Sequence, residues 1–124
     1  MKVLCVERDF FALRHMKREI PKIVPEAEVY FCRDPNKALA MAEETGCDVL
    51  LTGIDMGAAK DEGVTLAENV NRLNPHVNII FVTVCEAREY ANRIIPLRLS
   101  GYVRKPYEPS QLAEEFANLR YATG

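Results

Sequence analysis

The sequence predicts one α/β domain, a doubly wound parallel sheet of five strands, on three observations. Five short apolar runs recur along the chain, and segments with helical spacing separate them. Prolines, glycines and capping residues stand where the two kinds of segment meet. Strict alternation implies right-handed crossovers and helices on both faces of the sheet, so function is expected at the carboxyl ends of the strands.

Val3-Leu4-Cys5-Val6 is the first run, apolar throughout and bounded by polar residues, as a strand buried on both faces is. Leu13, Met16 and Ile20 then form one helical stripe. Val29-Tyr30-Phe31-Cys32 is the second strand. Asp34-Pro35, a cap followed by a proline at the first helical position, opens a helix that carries Leu39 and Ala42 and that Gly46 closes. Val49-Leu50-Leu51 is the third strand, and Leu66, Val70 and Leu73 mark a third helix stopped by Asn74-Pro75. After the fourth strand, Ile79-Ile80-Phe81-Val82, the spacing of Ala87, Tyr90, Ala91 and Ile94 predicts a fourth helix. The weaker run from Leu99 to Val103 is the fifth strand, and Pro109 opens a last helix with Leu112, Phe116 and Leu119.

Composition bounds the function. At 124 residues, 48% hydrophobic and 27% charged, the chain has ordinary usage for one core, and residues 1–124 are expected to form one domain. No apolar run nears the ~20 residues of a membrane-spanning helix, and the opening Met1 to Asp9 lacks the long apolar segment of a secretory leader. A cytoplasmic location without membrane contact is expected. The net charge of −2 leaves no footprint for nucleic acid, so any DNA contact is expected from another domain. Cys5, Cys32, Cys47 and Cys85 lie far apart, with no C-x-x-C pair and no neighbouring histidine. They read as free thiols rather than a zinc or redox site.

Three strand-end segments carry a resemblance. The first strand closes with Val6-Glu7-Arg8-Asp9, the fourth with Phe81-Val82-Thr83, and the fifth runs into Ser100-Gly101-Tyr102-Val103-Arg104-Lys105-Pro106. In this order and at these separations they resemble the receiver domains of two-component response regulators, the CheY-like superfamily, over essentially the whole chain. The resemblance implies a flavodoxin-like fold with strand order 2-1-3-4-5. In a working receiver an acidic pair after strand one and an aspartate ending strand three hold Mg²⁺, and that aspartate takes the phosphoryl group. A Ser or Thr after strand four and a Lys before a proline contact the phosphoryl oxygens, while an aromatic on strand five reports the change. Thr83, Lys105 and Tyr102 match these roles, and Lys105-Pro106 corresponds to a bond that is habitually cis in the family. Glu7 matches the first acid in charge alone, and Arg8 stands in place of the second. The segment Asp48 to Met56 aligns without gaps on the third strand and puts Gly53 at the phosphoacceptor position. The chain thus resembles a degenerate, pseudo-receiver form.

Mg²⁺ takes near-octahedral oxygen ligation and is seldom held without carboxylates. Glu7, Arg8 and Lys105 carry a formal charge of +1, or zero if Asp9 turns inward. A guanidinium ~4 Å from a metal would repel it by several kcal/mol at an effective dielectric of ~20. No cofactor is expected, and Mg²⁺ is expected not to bind. Arg8 reads either as a solvated loop residue or as a built-in cation paired with Glu7 or Asp9. Lys105 reads either as a solvated strand-end residue or as a salt-bridge donor to Glu7. Asp55 shares a direction with Gly53 but needs no new chemistry, and Asp61 and Glu62 read as helix-start acids. Thr83 reads as an anion donor or as a packed β-branched strand end. Cys85 would be a redox thiol only if Arg8 lowered its pKa, and His15 and His76 read as exposed.

Two functions of different classes follow. The first is a signalling module of two-component transduction, independent of phosphorylation, that regulates an output domain absent from this chain by protein contact. The resemblance puts that contact on the face of helix 4, strand 5 and helix 5, where Tyr90, Arg98, Tyr102, Arg104 and Tyr107 are of the types enriched at interfaces. The same face makes dimers in the family, so a homodimer is a candidate assembly. The second is a sensor of a small anion or other small ligand, using the altered pocket. An enzyme is not expected, because no nucleophile is paired with a base. The stretch Gln111 to Tyr121 resembles the end of receivers that precede a winged-helix DNA-binding domain.

Overall fold

The computed structural model describes residues 1–119. Its elements alternate as the sequence predicts: β1 (Lys2–Val6), α1 (Phe10–Ile23), β2 (Glu28–Cys32), α2 (Pro35–Thr45), β3 (Val49–Thr52), α3 (Glu62–Leu73), β4 (Asn78–Thr83), α4 (Ala91–Ile94), β5 (Gly101–Arg104) and α5 (Pro109–Ala117). All neighbouring strands are parallel, in the order β2-β1-β3-β4-β5. Arg120 and Tyr121, the end of the stretch likened to a receiver terminus, lie outside the described residues.

Period-two alternation sends each central strand's side chains to two cores. Leu4, Val6, Leu50, Ile79 and Phe81 pack toward α2 and α3, while Val3, Cys5, Leu51, Ile80 and Val82 pack toward Met16 and Ile20 of α1 and Leu112 and Phe116 of α5. β1 and β3 are almost wholly buried because a strand pairs with each on both sides and helices cover both faces. At ~1.5–3 kcal/mol for each large apolar side chain, burial of this stripe, not helix propensity, holds α1 to the sheet. Pro21 is tolerated in the last turn of α1, with its ring exposed. Asp34 caps α2 with Pro35 at its first position, and Gly46 ends it at φ 69°, in the left-handed region that glycine adopts without a Cβ penalty.

The fourth helix departs from the expectation. Only Ala91–Ile94 is α-helical, flanked by 3₁₀ turns at Ala87–Tyr90 and Ile95–Leu97. Pro96 lacks an N–H, and its ring would clash with the carbonyl four residues earlier, so a helix of the spaced apolar residues cannot run on. Arg98 closes the segment at φ 51°. A side chain supplies the missing order: the Arg93 guanidinium, on α4, bonds to Asp61 and Glu68 and donates to Thr65 Oγ1 at 3.0 Å, all on or beside α3. These partners raise the Arg93 pKa above its ordinary value, Glu68 and then Asp61 contributing most.

Strand register brings the candidate residues together. Val6 pairs with Thr52, Thr52 with Phe81, and Thr83 with Arg104, so β1, β3, β4 and β5 end side by side. The ladder continues one step beyond: Gly53 N–H donates to Val6 O at 3.1 Å, and Lys105 N–H to Thr83 O at 2.9 Å. Glu7, Gly53, Thr83 and Lys105 therefore share one edge of the sheet.

Candidate functional site

Lys105 follows β5, and its ammonium donates to Glu7 Oε2 at 2.8 Å across the ends of the intervening strands. Of the two readings of Lys105, the salt-bridge donor is the one the geometry realises. Glu7 is only 4% exposed. Its other oxygen, Oε1, accepts the Asp9 N–H at 3.1 Å, so both carboxylate oxygens have partners. Gly53 is buried beside this pair, and a Cβ placed on it would stand 3.3 Å from Glu7 Oε2. The Lys105-Pro106 peptide bond is cis.

The remaining charged candidates point elsewhere. Arg8 pairs with neither Glu7 nor Asp9, contrary to the built-in-cation reading, and has no ion-pair partner among the described residues. It is exposed, and its side chain runs beside Gly57, whose absent Cβ would lie 3.3 Å from Arg8 Nε. Glu7 sits on the Lys105 ammonium instead, which removes the reason for such a pair. Asp9 does not turn inward, because its side chain caps α1 by accepting the Phe11 N–H at 3.0 Å. Asp55 is exposed and accepts the Gly57 N–H at 3.1 Å, which shapes the loop after β3. Glu62 Oε1 gathers the N–H groups of Ala58 and Ala59 at 2.7 and 2.8 Å, while Asp61 serves Arg93.

Thr83 and Tyr102 converge on one residue. Thr83 Oγ1 accepts the Cys85 N–H at 3.1 Å, and the Tyr102 hydroxyl donates to Cys85 O at 2.7 Å, with the ring edge-on to Phe81. The aromatic of β5 is thus turned inward. Tyr107 is turned the other way, toward α1, where it meets His15 with ring centroids 5.9 Å apart, so His15 is half-buried rather than exposed. Burial pushes the Tyr102 hydroxyl up to about 12 and the Tyr107 hydroxyl likewise to about 12, the Glu7 carboxylate adding to the second shift. In the unfolded chain such a phenol ionises near pH ~10. The folded protein holds these protons to higher pH than the unfolded chain does, so their stabilisation is whole below pH ~10 and is lost as the pH climbs toward ~12. Urea midpoints followed by circular dichroism should fall across that window, and less steeply in Tyr107→Phe.

The family described as the response regulator receiver domain matches residues 3–117. The chain belongs to that family. No curated protein sequence matches it. Among solved structures it is similar to the response regulatory domain of MrkE from Klebsiella pneumoniae, at 26% identity and a TM-score of 0.82, covering 96% of this chain and 94% of that one. It is also similar to a CheY-like receiver domain protein from Methanospirillum hungatei, at 24% identity and a TM-score of 0.82, covering 94% and 90%. A DNA-binding response regulator of the LuxR family from Staphylococcus aureus shares the fold at 17% identity and a TM-score of 0.78, covering 95% and 98%. Receiver domains are in general signalling modules of two-component systems that act on output domains or partner proteins.

The receiver family implies Mg²⁺ at this edge, and the residues present do not fit it. Position 53 offers no oxygen beyond its backbone, Glu7 is engaged by Lys105, and Asp9 and Asp55 are turned to backbone N–H groups. Among the described residues no three His, Cys, Asp or Glu side chains come together as a cage. No helix among them is long and apolar enough to cross a membrane. Sequence reasoning missed Gly63, where α3 comes against the end of β3: a Cβ there would fall 1.6 Å from Gly53 O. A glycine one residue into a helix after an acidic pair was the available signal.

Proposed function

We propose that this receiver works without aspartyl phosphorylation, as a cytoplasmic module that regulates an output domain by protein contact through the surface of α4, β5 and α5. One observation carries the reading: the position that follows β3 has no side chain, and the acid nearest to it, Glu7, is buried on Lys105. Mg²⁺ finds no ligand set here, so the pocket stays metal-free and its charge is balanced internally. Ile95, Arg98 and Arg104 are exposed on the segment from α4 to β5, a large apolar residue and two arginines, the latter a type enriched at interfaces. The Staphylococcus aureus relative is a DNA-binding response regulator, and a DNA-binding output beyond residue 124 of this chain is the arrangement we favour. A homodimer through the same surface is compatible with it. The small-anion reading draws less support, because the Lys105 ammonium is already held by Glu7.

The test is phosphorylation of the unaltered protein. After incubation with acetyl phosphate and Mg²⁺, the intact mass should be unchanged, and amide resonances of residues 7, 53, 83 and 105 should not move. A stable added phosphoryl group would overturn the reading.

A further inference from the structure

The amino end of the sheet, opposite the Gly53 edge, holds a cleft of about 410 Å³ between the turn that precedes β4 and the turn that precedes β5. That size falls at the low end of small-molecule sites, which span ~300–1,000 Å³. Asn71, His76, Asn78, Arg98 and Ser100 line it, and no carboxylate does. The carboxylate of Asp48, whose main chain adjoins Asn78, accepts the Lys2 N–H at 2.8 Å instead. Neither the Arg98 guanidinium nor the His76 imidazole has a hydrogen-bond or ion-pair partner among the described residues. The Asn78 amide is oriented by its neighbour: Oδ1 accepts the Ser100 hydroxyl at 2.8 Å, while Nδ2 meets only Asp48 O, at 3.5 Å. The cleft is therefore rich in donors and poor in free acceptors.

Arg98 adds a second, independent observation. Among the described residues it alone, glycines aside, has a positive φ, 51°, a left-handed conformation that glycine or asparagine adopts more readily than a residue with a long side chain. Burial does not account for it, because the residue is exposed. The outcome is a cation on the wall of the cleft, where glycine would bring none. Backbone outliers of this kind gather at ligand sites.

We propose that this cleft binds a small molecule through a carboxylate or phosphate group, with Arg98 as the principal contact. The planar guanidinium fork matches either oxyanion with two parallel hydrogen bonds. Asn71 and Asn78 add amide donors, and the buried Val77 and Leu97 give the rest of the molecule an apolar floor. Pro75 and Pro96 fix the two turns, so little freedom is lost on binding.

Inorganic phosphate and succinate are the probes, each titrated against sodium chloride of equal ionic strength and followed by amide resonances. Saturable shifts are expected at residues 71, 76, 78, 98 and 100, with a midpoint on the order of 1–10 mM, and none at 7, 53, 83 and 105. Saturation by one probe and not the other identifies the oxyanion. Shifts no larger than those with chloride, or shifts confined to the Gly53 edge, would overturn the inference. Arg98→Asn removes the cation and suits a φ of 51°, so binding should weaken at least about tenfold while the thermal midpoint does not fall. Arg98→Lys keeps the charge without the fork and should weaken binding several-fold. Undiminished binding in Arg98→Asn would sink the proposal. If that variant fails to fold, Asn71→Ala decides with Arg98→Lys, since alanine suits α3 and removes one donor. Unchanged affinity in both would count equally against the site.

Discussion

Gly63→Ala should lower the unfolding free energy by about 3 kcal/mol, at the upper end of what overpacking costs. The added methyl would fall 1.6 Å from Gly53 O, a backbone atom that cannot swing aside, while Gly63 N–H is bonded to Ile54 O at 2.8 Å. Relief requires α3 to back away from β3, which would open Val64 and Ala67 to water. Alanine's better helix propensity returns ~1 kcal/mol at most and does not offset this. Gly101→Ala is the control. Its methyl would meet Glu115 Oε2 at 2.2 Å, but a carboxylate at the end of a flexible side chain can move, so a change below ~1 kcal/mol is expected. Urea unfolding of the two variants, followed by circular dichroism, checks both. Similar losses in the two would mean that backbone proximity at position 63 is not what limits it.

Breaking the ion pair from its two ends should have unequal effects. Lys105→Met leaves the Glu7 carboxylate, 4% exposed, without a cation, and about 3 kcal/mol is the expected loss for a buried pair broken on that side. Glu7→Gln should cost less, about 1–2 kcal/mol, because the amide oxygen still accepts a hydrogen bond. The Lys105 side chain is also 24% exposed, so its ammonium can shift toward water. Combining the two changes should recover part of the Lys105→Met loss, since no charge is then left buried. Denaturant midpoints of the three variants test the order, and a larger loss for Glu7→Gln than for Lys105→Met would contradict it.

The inner strands β1, β3 and β4 were legible because each is a nearly continuous apolar run, the pattern two-sided burial demands, while the edge strand β5 showed only as a weaker run. Caps were legible where the chemistry is local, as at Asp34-Pro35 and Gly46. The fourth helix was not, because the Ala87, Tyr90, Ala91, Ile94 spacing does not tell the 3₁₀ turn at Ala87–Tyr90 from an α-helix, and its position depends on Arg93 reaching across to α3. At the candidate site, the partnership of Glu7 with Lys105 spans 98 positions in sequence, and the family resemblance, not residue spacing, brought the two together. The role of Asp9 went the other way: a local hydrogen bond to Phe11 N–H outweighed any pull toward the pocket. Of the two readings of Arg8 the solvated residue is the one realised; the built-in cation rested on charge counting, which treats neighbours in sequence as neighbours in space, whereas the side chain leaves the edge along Gly57.

Cys85 gives its N–H to Thr83 and its carbonyl to Tyr102, and neither bond involves its thiol. Two side chains on adjacent strands are thus joined through a main-chain unit that every residue except proline possesses in full. The side chain at position 85 takes no part in the joint, while positions 83 and 102 constrain each other through the main chain between them. Covariation between 83 and 102, with 85 silent between them, is the trace such a joint would leave in a lineage of related sequences.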